Sequence, residues 1–214
     1  MKFWDSVVIF TETDTVYKAM CIRGLLEGMH ITVHIQVVDC SQHVENFLAG
    51  RYPQAAFVIW CTHGTMRTES ENVLSPTLWD VLGKDEQGRD DFEEIKRDIG
   101  PEEIVQKNTA PRKTFITISC HSGKKPLAEA FLAAGWENYI GTDEACETSS
   151  CLVYLATLFS LLRAEDRDNP EEQRVYSVPE AAAIAREVED FPLMGTRAFV
   201  AYHRDEGPAA PVVD

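Results

Sequence analysis

Phe57-Val-Ile-Trp-Cys-Thr-His-Gly-Thr65 and Thr114-Phe-Ile-Thr-Ile-Ser-Cys-His-Ser-Gly123 decide how this chain is read. Each begins as a run of strand length in which apolar, aromatic and β-branched residues prevail. A strand that is apolar at consecutive positions is buried on both faces, as in parallel sheets covered by helices on either side. Each run then ends in a chemically active side chain followed closely by glycine: His63 with Gly64, and Cys120 with Gly123. In open parallel sheets, ligands collect outside the carboxyl ends of the strands. If these two strands are neighbours, an imidazole stands beside a thiol.

The flanking sequence supports such a sheet. Residues 6–10 are a short apolar strand, and residues 11–15 (Thr-Glu-Thr-Asp-Thr) supply helix-capping side chains. Apolar positions at 16, 20, 21, 22, 25 and 26 predict a helix over 16–28 that stops at glycine. Residues 31–38 read as a second strand, 43–49 as a short helix and 55–61 as the third strand. A β-α-β-α-β opening of this kind favours parallel strands joined by crossovers. Farther on, the pattern predicts helices over 126–134, 149–164 and 179–188 and strands over 115–119, 138–141 and 197–202. Residues 65–76 read as loop, and the acidic stretch 84–103 as a solvated loop or surface helix, with clustered carboxylates that would suit a hard cation such as calcium. The expectation is one α/β domain over residues 1–204, a three-layer fold with a mainly parallel sheet of about six strands. A disordered tail is expected over 205–214.

Composition narrows the function. A chain of 214 residues has room for a substantial core, and its net charge of -15 argues against a phosphate-binding surface, hence against nucleic acid and anionic membrane. No apolar run reaches the roughly 18–20 residues of a membrane span. Six cysteines without an export signal are expected to be free thiols in a reducing cytoplasm.

A thiol, a nearby imidazole and backbone N–H donors are the parts needed for nucleophilic acyl transfer. Cys120 supplies the nucleophile and His63 the base, with the N–H groups of Gly64 and Cys120 as oxyanion donors. A competing arrangement is zinc held by Cys61, His63, Cys120 and His121, but the C-x-H and C-H spacings do not match the usual paired clips of structural sites. The expectation is no resident metal or other cofactor.

The motifs also carry a resemblance. Ile118-Ser-Cys-His-Ser-Gly123 is similar to the D-x-C-H-S-G signature of metacaspases, and Thr62-His-Gly-Thr65 to their G-H-G-T histidine motif. The order of elements from Leu127 onward resembles the CHAT branch of the same caspase-like superfamily, clan CD of the cysteine peptidases. The resemblance implies a caspase-haemoglobinase fold, a Cys120–His63 dyad and a peptide or protein substrate. Ile118 stands where metacaspases carry an aspartate that helps bind a basic P1 side chain, so Asp143 and Glu144 are the remaining acids for that pocket. The same superfamily includes non-catalytic signalling and interaction modules, and a thiol-dependent acyl hydrolase is a further alternative.

Overall fold

The computed structural model describes residues 6–66, 72–107, 114–163, 176–188, 196–204 and 210–211. The chain opens with β1 (Ser6–Thr11), α1 (Val16–Gly28), β2 (Thr32–Val37), α2 (Ser41–Leu48) and β3 (Phe57–Cys61). Next come two hairpins, β4 (Gly64–Met66) with β5 (Asn72–Leu74) and β6 (Thr77–Lys84) with β7 (Asp90–Lys96), then α3 (Pro101–Lys107). The second half contributes β8 (Thr114–Thr117), α4 (Lys125–Ala133), β9 (Asn138–Thr142), α5 (Thr148–Leu162), α6 (Val178–Glu187), β10 (Phe199–His203) and β11 (Ala210–Pro211).

One sheet organises them, in the order β11-β10-β9-β8-β3-β1-β2. β2, β1, β3, β8 and β9 are parallel, whereas β10 and β11 are antiparallel to their neighbours. This is the expected six-strand, mainly parallel sheet with the two-residue β11 added at one edge. Successive residues of the inner strands feed opposite faces. Val7, Ile9 and Ile59 join α1, α5 and α6 in one apolar layer, while Val8, Phe10, Val58 and Trp60 join α2, α3 and α4 in the other. All five residues of β3 are buried, as its unbroken apolar run requires.

Two stretches differ from the sequence expectation. Residues 65–76 contain β4 and β5, with 67–71 outside the described residues. The acidic region, expected as solvated loop or surface helix, is a hairpin whose β7 strand is largely exposed, followed by the helix α3. Alternation of Leu78, Asp80 and Trp79, Val81 gives β6 an inner and an outer face, Gly88 (φ 77°) closes the turn, and Arg97 and Lys107 pair with Glu103. Its carboxylates are engaged locally, Asp85 with Arg89 and Asp90 with Lys84. Among the described residues they form no convergent cation-binding set. Of the expected tail, 210–211 pair with Tyr202 and His203, and 205–209 and 212–214 lie outside the described residues.

Candidate functional site

The chain leaves β1 toward β2 with α1 on one face, then returns past β1 to β3 with α2 on the other face. Strand order thus reverses between β1 and β3, and ligands of open α/β sheets collect outside the strand carboxyl ends at such a reversal. Glu12 follows β1 directly, and His63 lies two residues beyond β3.

β8 is the next strand over, and its register fixes which of its residues stand level with those of β3. Phe57 lies opposite Thr114 and Trp60 opposite Thr117. The ladder continues as Ile118 N–H donates to Trp60 O at 3.0 Å and Ser119 Oγ to Thr62 O at 2.8 Å. His63 precedes Cys120 by the same interval at which Phe57 precedes Thr114, so the two motifs end level on adjacent parallel strands.

Gly64 locks the two ends together. A Cβ there would lie 2.4 Å from Cys120 O and 2.9 Å from Ser119 Cβ, so only glycine permits this approach. The close partner at this glycine is the cysteine loop. Ser75 N–H donates to His63 O at 3.0 Å, which makes Gly64 and Leu74 a non-hydrogen-bonded antiparallel pair. The Gly64 N–H therefore points away from β5.

The cysteine turn is held from several sides. His121 adopts φ 59°, an uncommon left-handed conformation for a residue with a side chain. Its carbonyl accepts from Asn72 Nδ2, its Nδ1 lies 3.2 Å from Asp143 O, and its N–H donates to Glu144 O at 3.4 Å. Ser119 O accepts from Ser122 Oγ at 2.6 Å and Thr142 Oγ1 at 2.8 Å. Tyr139 and Tyr202 donate their hydroxyls to Ser122 O and Gly123 O at 2.6 and 3.0 Å. Burial pushes the Tyr139 hydroxyl well above its ordinary value and Tyr202 up to about 12, so both remain donors at neutral pH. Gly123 and Gly141 meet backbone to backbone, with a Cβ on Gly141 falling 2.8 Å from Gly123 N.

Glu12 is hidden in the sequence among the capping side chains of residues 11–15. It is fully buried. Its carboxylate accepts the His63 N–H at 2.5 Å and the Thr77 N–H, and its Oε1 lies 3.8 Å from His63 Nε2. A carboxylate inside a protein requires hydrogen bonds or charge to offset its desolvation, and here the partners are the histidine and the first residue of β6. The signal available in the sequence was an acid placed immediately after a buried strand, at the edge where chemistry collects.

The other sequence candidates are dispersed. Ile118 is only 5% exposed and belongs to the apolar layer of α1, α5 and α6. Asp143 is partly buried, with Lys124 Nζ 3.9 Å from its Oδ1. Burial raises its carboxyl above the ordinary value, against the opposing pull of Lys124 and Arg186. Glu144 is exposed. The zinc set does not assemble: Cys61 points into the core toward Thr15 O at 3.9 Å, and burial pushes its thiol up to about 11. All six cysteines are free thiols. Cys61, Cys146 and Cys151 are buried, Cys40 and Cys120 half-buried and Cys21 exposed. Among the described residues, no helix is long and apolar enough to cross a membrane.

No protein-family model and no curated protein matches this chain. Solved structures do. A chain of the separase–securin complex of Saccharomyces cerevisiae superposes with a TM-score of 0.50 at 13% identity, over 93% of this chain and 12% of that one. This chain thus spans about an eighth of the length of that protein. The likeness shows a shared fold, an α/β architecture with a mainly parallel sheet between helices.

Proposed function

We propose that this caspase-like chain is a cysteine endopeptidase in which Cys120 is the nucleophile and His63 the general base and acid. The observation that carries the reading is the shared register: both residues end adjacent parallel strands at one end of the sheet, beside the strand-order reversal. Cys120 Sγ attacks the peptide carbonyl while its proton passes to the His63 ring. The oxyanion is held by backbone N–H groups, that of Gly64, which points away from β5, and that of Cys120. His63 then protonates the departing amine, leaving a thioester on Cys120. Water, deprotonated by His63, hydrolyses the thioester and releases the acid.

Glu12 acts as a positioning residue. It fixes the His63 backbone through the N–H it accepts, and its Oε1 stands 3.8 Å from His63 Nε2. With Ile118 in the core, Asp143 and Glu144 are the acids available for a basic P1 residue, and Asp143 shares its charge with Lys124. No step requires a metal.

The test is a thiol-directed peptide ketone library applied to the full chain, with adducts mapped by mass spectrometry. Adducts on Cys120 ahead of the accessible Cys21 and Cys40, lost in His63→Ala, are the expected result. Equal labelling of the three thiols, with no peptide cleaved, would sink the peptidase reading and leave a binding module.

A further inference from the structure

The same end of the sheet carries a second cluster that the dyad does not use. Where β2 runs into α2, Asp39, Cys40 and His43 bring a carboxylate oxygen, a thiol sulfur and an imidazole nitrogen within 4.8 Å of one another. The local chain explains the convergence. Cys40 is extended at the helix N-cap (φ -148°, ψ 163°), and His43 sits in the first turn, with its ring turned back over the helix start. Asp39 Oδ1 lies 2.6 Å from His43 Nδ1. The Cys40 side chain makes no capping hydrogen bond.

The surroundings hold this arrangement and leave it reachable. Trp79 N–H donates to Asp39 O at 2.7 Å, and Asp80 accepts the Ser41 N–H at 2.9 Å, so β6 pins the backbone on both sides of Cys40. The His43 and Asp39 side chains are 44% and 48% exposed. A cavity of about 460 Å³, lined by Asp39, Cys40, Trp79, Val81 and Phe92, opens beside the donors.

We propose that Asp39, Cys40 and His43 form a site for a divalent transition metal of the zinc class. Sulfur, nitrogen and oxygen donors are the zinc ligands, whereas calcium and magnesium require oxygen alone. With Zn–S of about 2.3 Å and Zn–N or Zn–O of about 2.0–2.2 Å, tetrahedral donors stand roughly 3.4–3.6 Å apart. Reaching that spacing opens the 2.6 Å Asp39–His43 pair and draws in any wider separation, all of them within 4.8 Å. Binding exchanges the Asp39–His43 contact for two metal bonds and releases the Cys40 thiol proton to solvent. Three protein ligands leave the fourth position to water or to a molecule in the cavity.

Cobalt(II) is the probe, titrated into the reduced, chelator-treated full chain and then displaced with zinc. The expected result is a thiolate-to-cobalt absorption band saturating at one equivalent and lost on adding zinc. Cys40→Ser removes the band, and His43→Ala weakens zinc binding by more than the roughly 10–100-fold that loss of an outer-shell partner costs. Cys120→Ala leaves the band intact. Absence of a band, its survival in Cys40→Ser or its loss in Cys120→Ala each overturns the proposal. If Cys40→Ser fails to fold by circular dichroism, Asp39→Asn and His43→Ala carry the same test. The readout is independent of peptidase activity, so the two proposals fail separately.

Discussion

At the residue scale, Gly64 and Glu12 do more to shape the site than the reactive side chains themselves. Gly64→Ala forces a methyl group against Cys120 O and Ser119 Cβ, both in a well-held turn. Overpacking of this sort costs about 1–3 kcal/mol. We expect the variant to unfold at lower denaturant and Cys120 to lose its labelling advantage over Cys21. Glu12→Ala leaves the N–H groups of His63 and Thr77 without their acceptor, each worth about 1–3 kcal/mol where buried. Urea unfolding should show that loss, and ketone labelling of Cys120 should slow at the same time. A variant that unfolds earlier but labels at the parent rate would remove Glu12 from the mechanism. Tyr139→Phe is the control at the opposite side of the cysteine turn, because it deletes one donor to Ser122 O and no charge.

At the scale of elements, the β6–β7 hairpin and α3 are tied down by charge. Arg97 pairs with Glu103, which also meets Lys107, while Glu45 on α2 joins from the side. Burial pushes the Glu103 carboxyl up, but its hydrogen bonds to Arg97 and Lys107 win and hold it below its ordinary value of 4.5. A carboxyl depressed in the folded state adds stability that is present above the unfolded value and is lost as pH falls through the folded one. Stability should therefore decline in acid below about pH 4.5. Glu103→Gln should flatten that limb in urea midpoints measured across the acid range. An unchanged acid limb would assign the loss to other carboxylates.

For the whole molecule, two apolar layers on one sheet share every inner strand, so neither can open alone. Tryptophan fluorescence samples the layer containing Trp60 and Trp136, and thiol exposure samples the layer containing Cys61 and Cys151. We expect both probes to give the same unfolding midpoint in denaturant. Separate midpoints would mean that residues 1–204 do not form one cooperative domain.

Much of this architecture was legible along the chain. The unbroken apolar runs of β3 and β8 demand burial on both faces, and the helix signals of α1, α4 and α6 are local matters of spacing, proline and glycine. The sheet and its order of elements follow from such short-range patterns, as do His63 and Cys120 at strand ends. The hairpin is obscured because its outer face mixes apolar Trp79, Val81 and Phe92 with charged Glu94, so no strand period stands out. Glu12 beside His63, Ser119 against Thr62 and the donor cluster at Asp39 come from strand register and from loops meeting at one end of the sheet. Those contacts join residues far apart in sequence, and only the packed fold sets their distances.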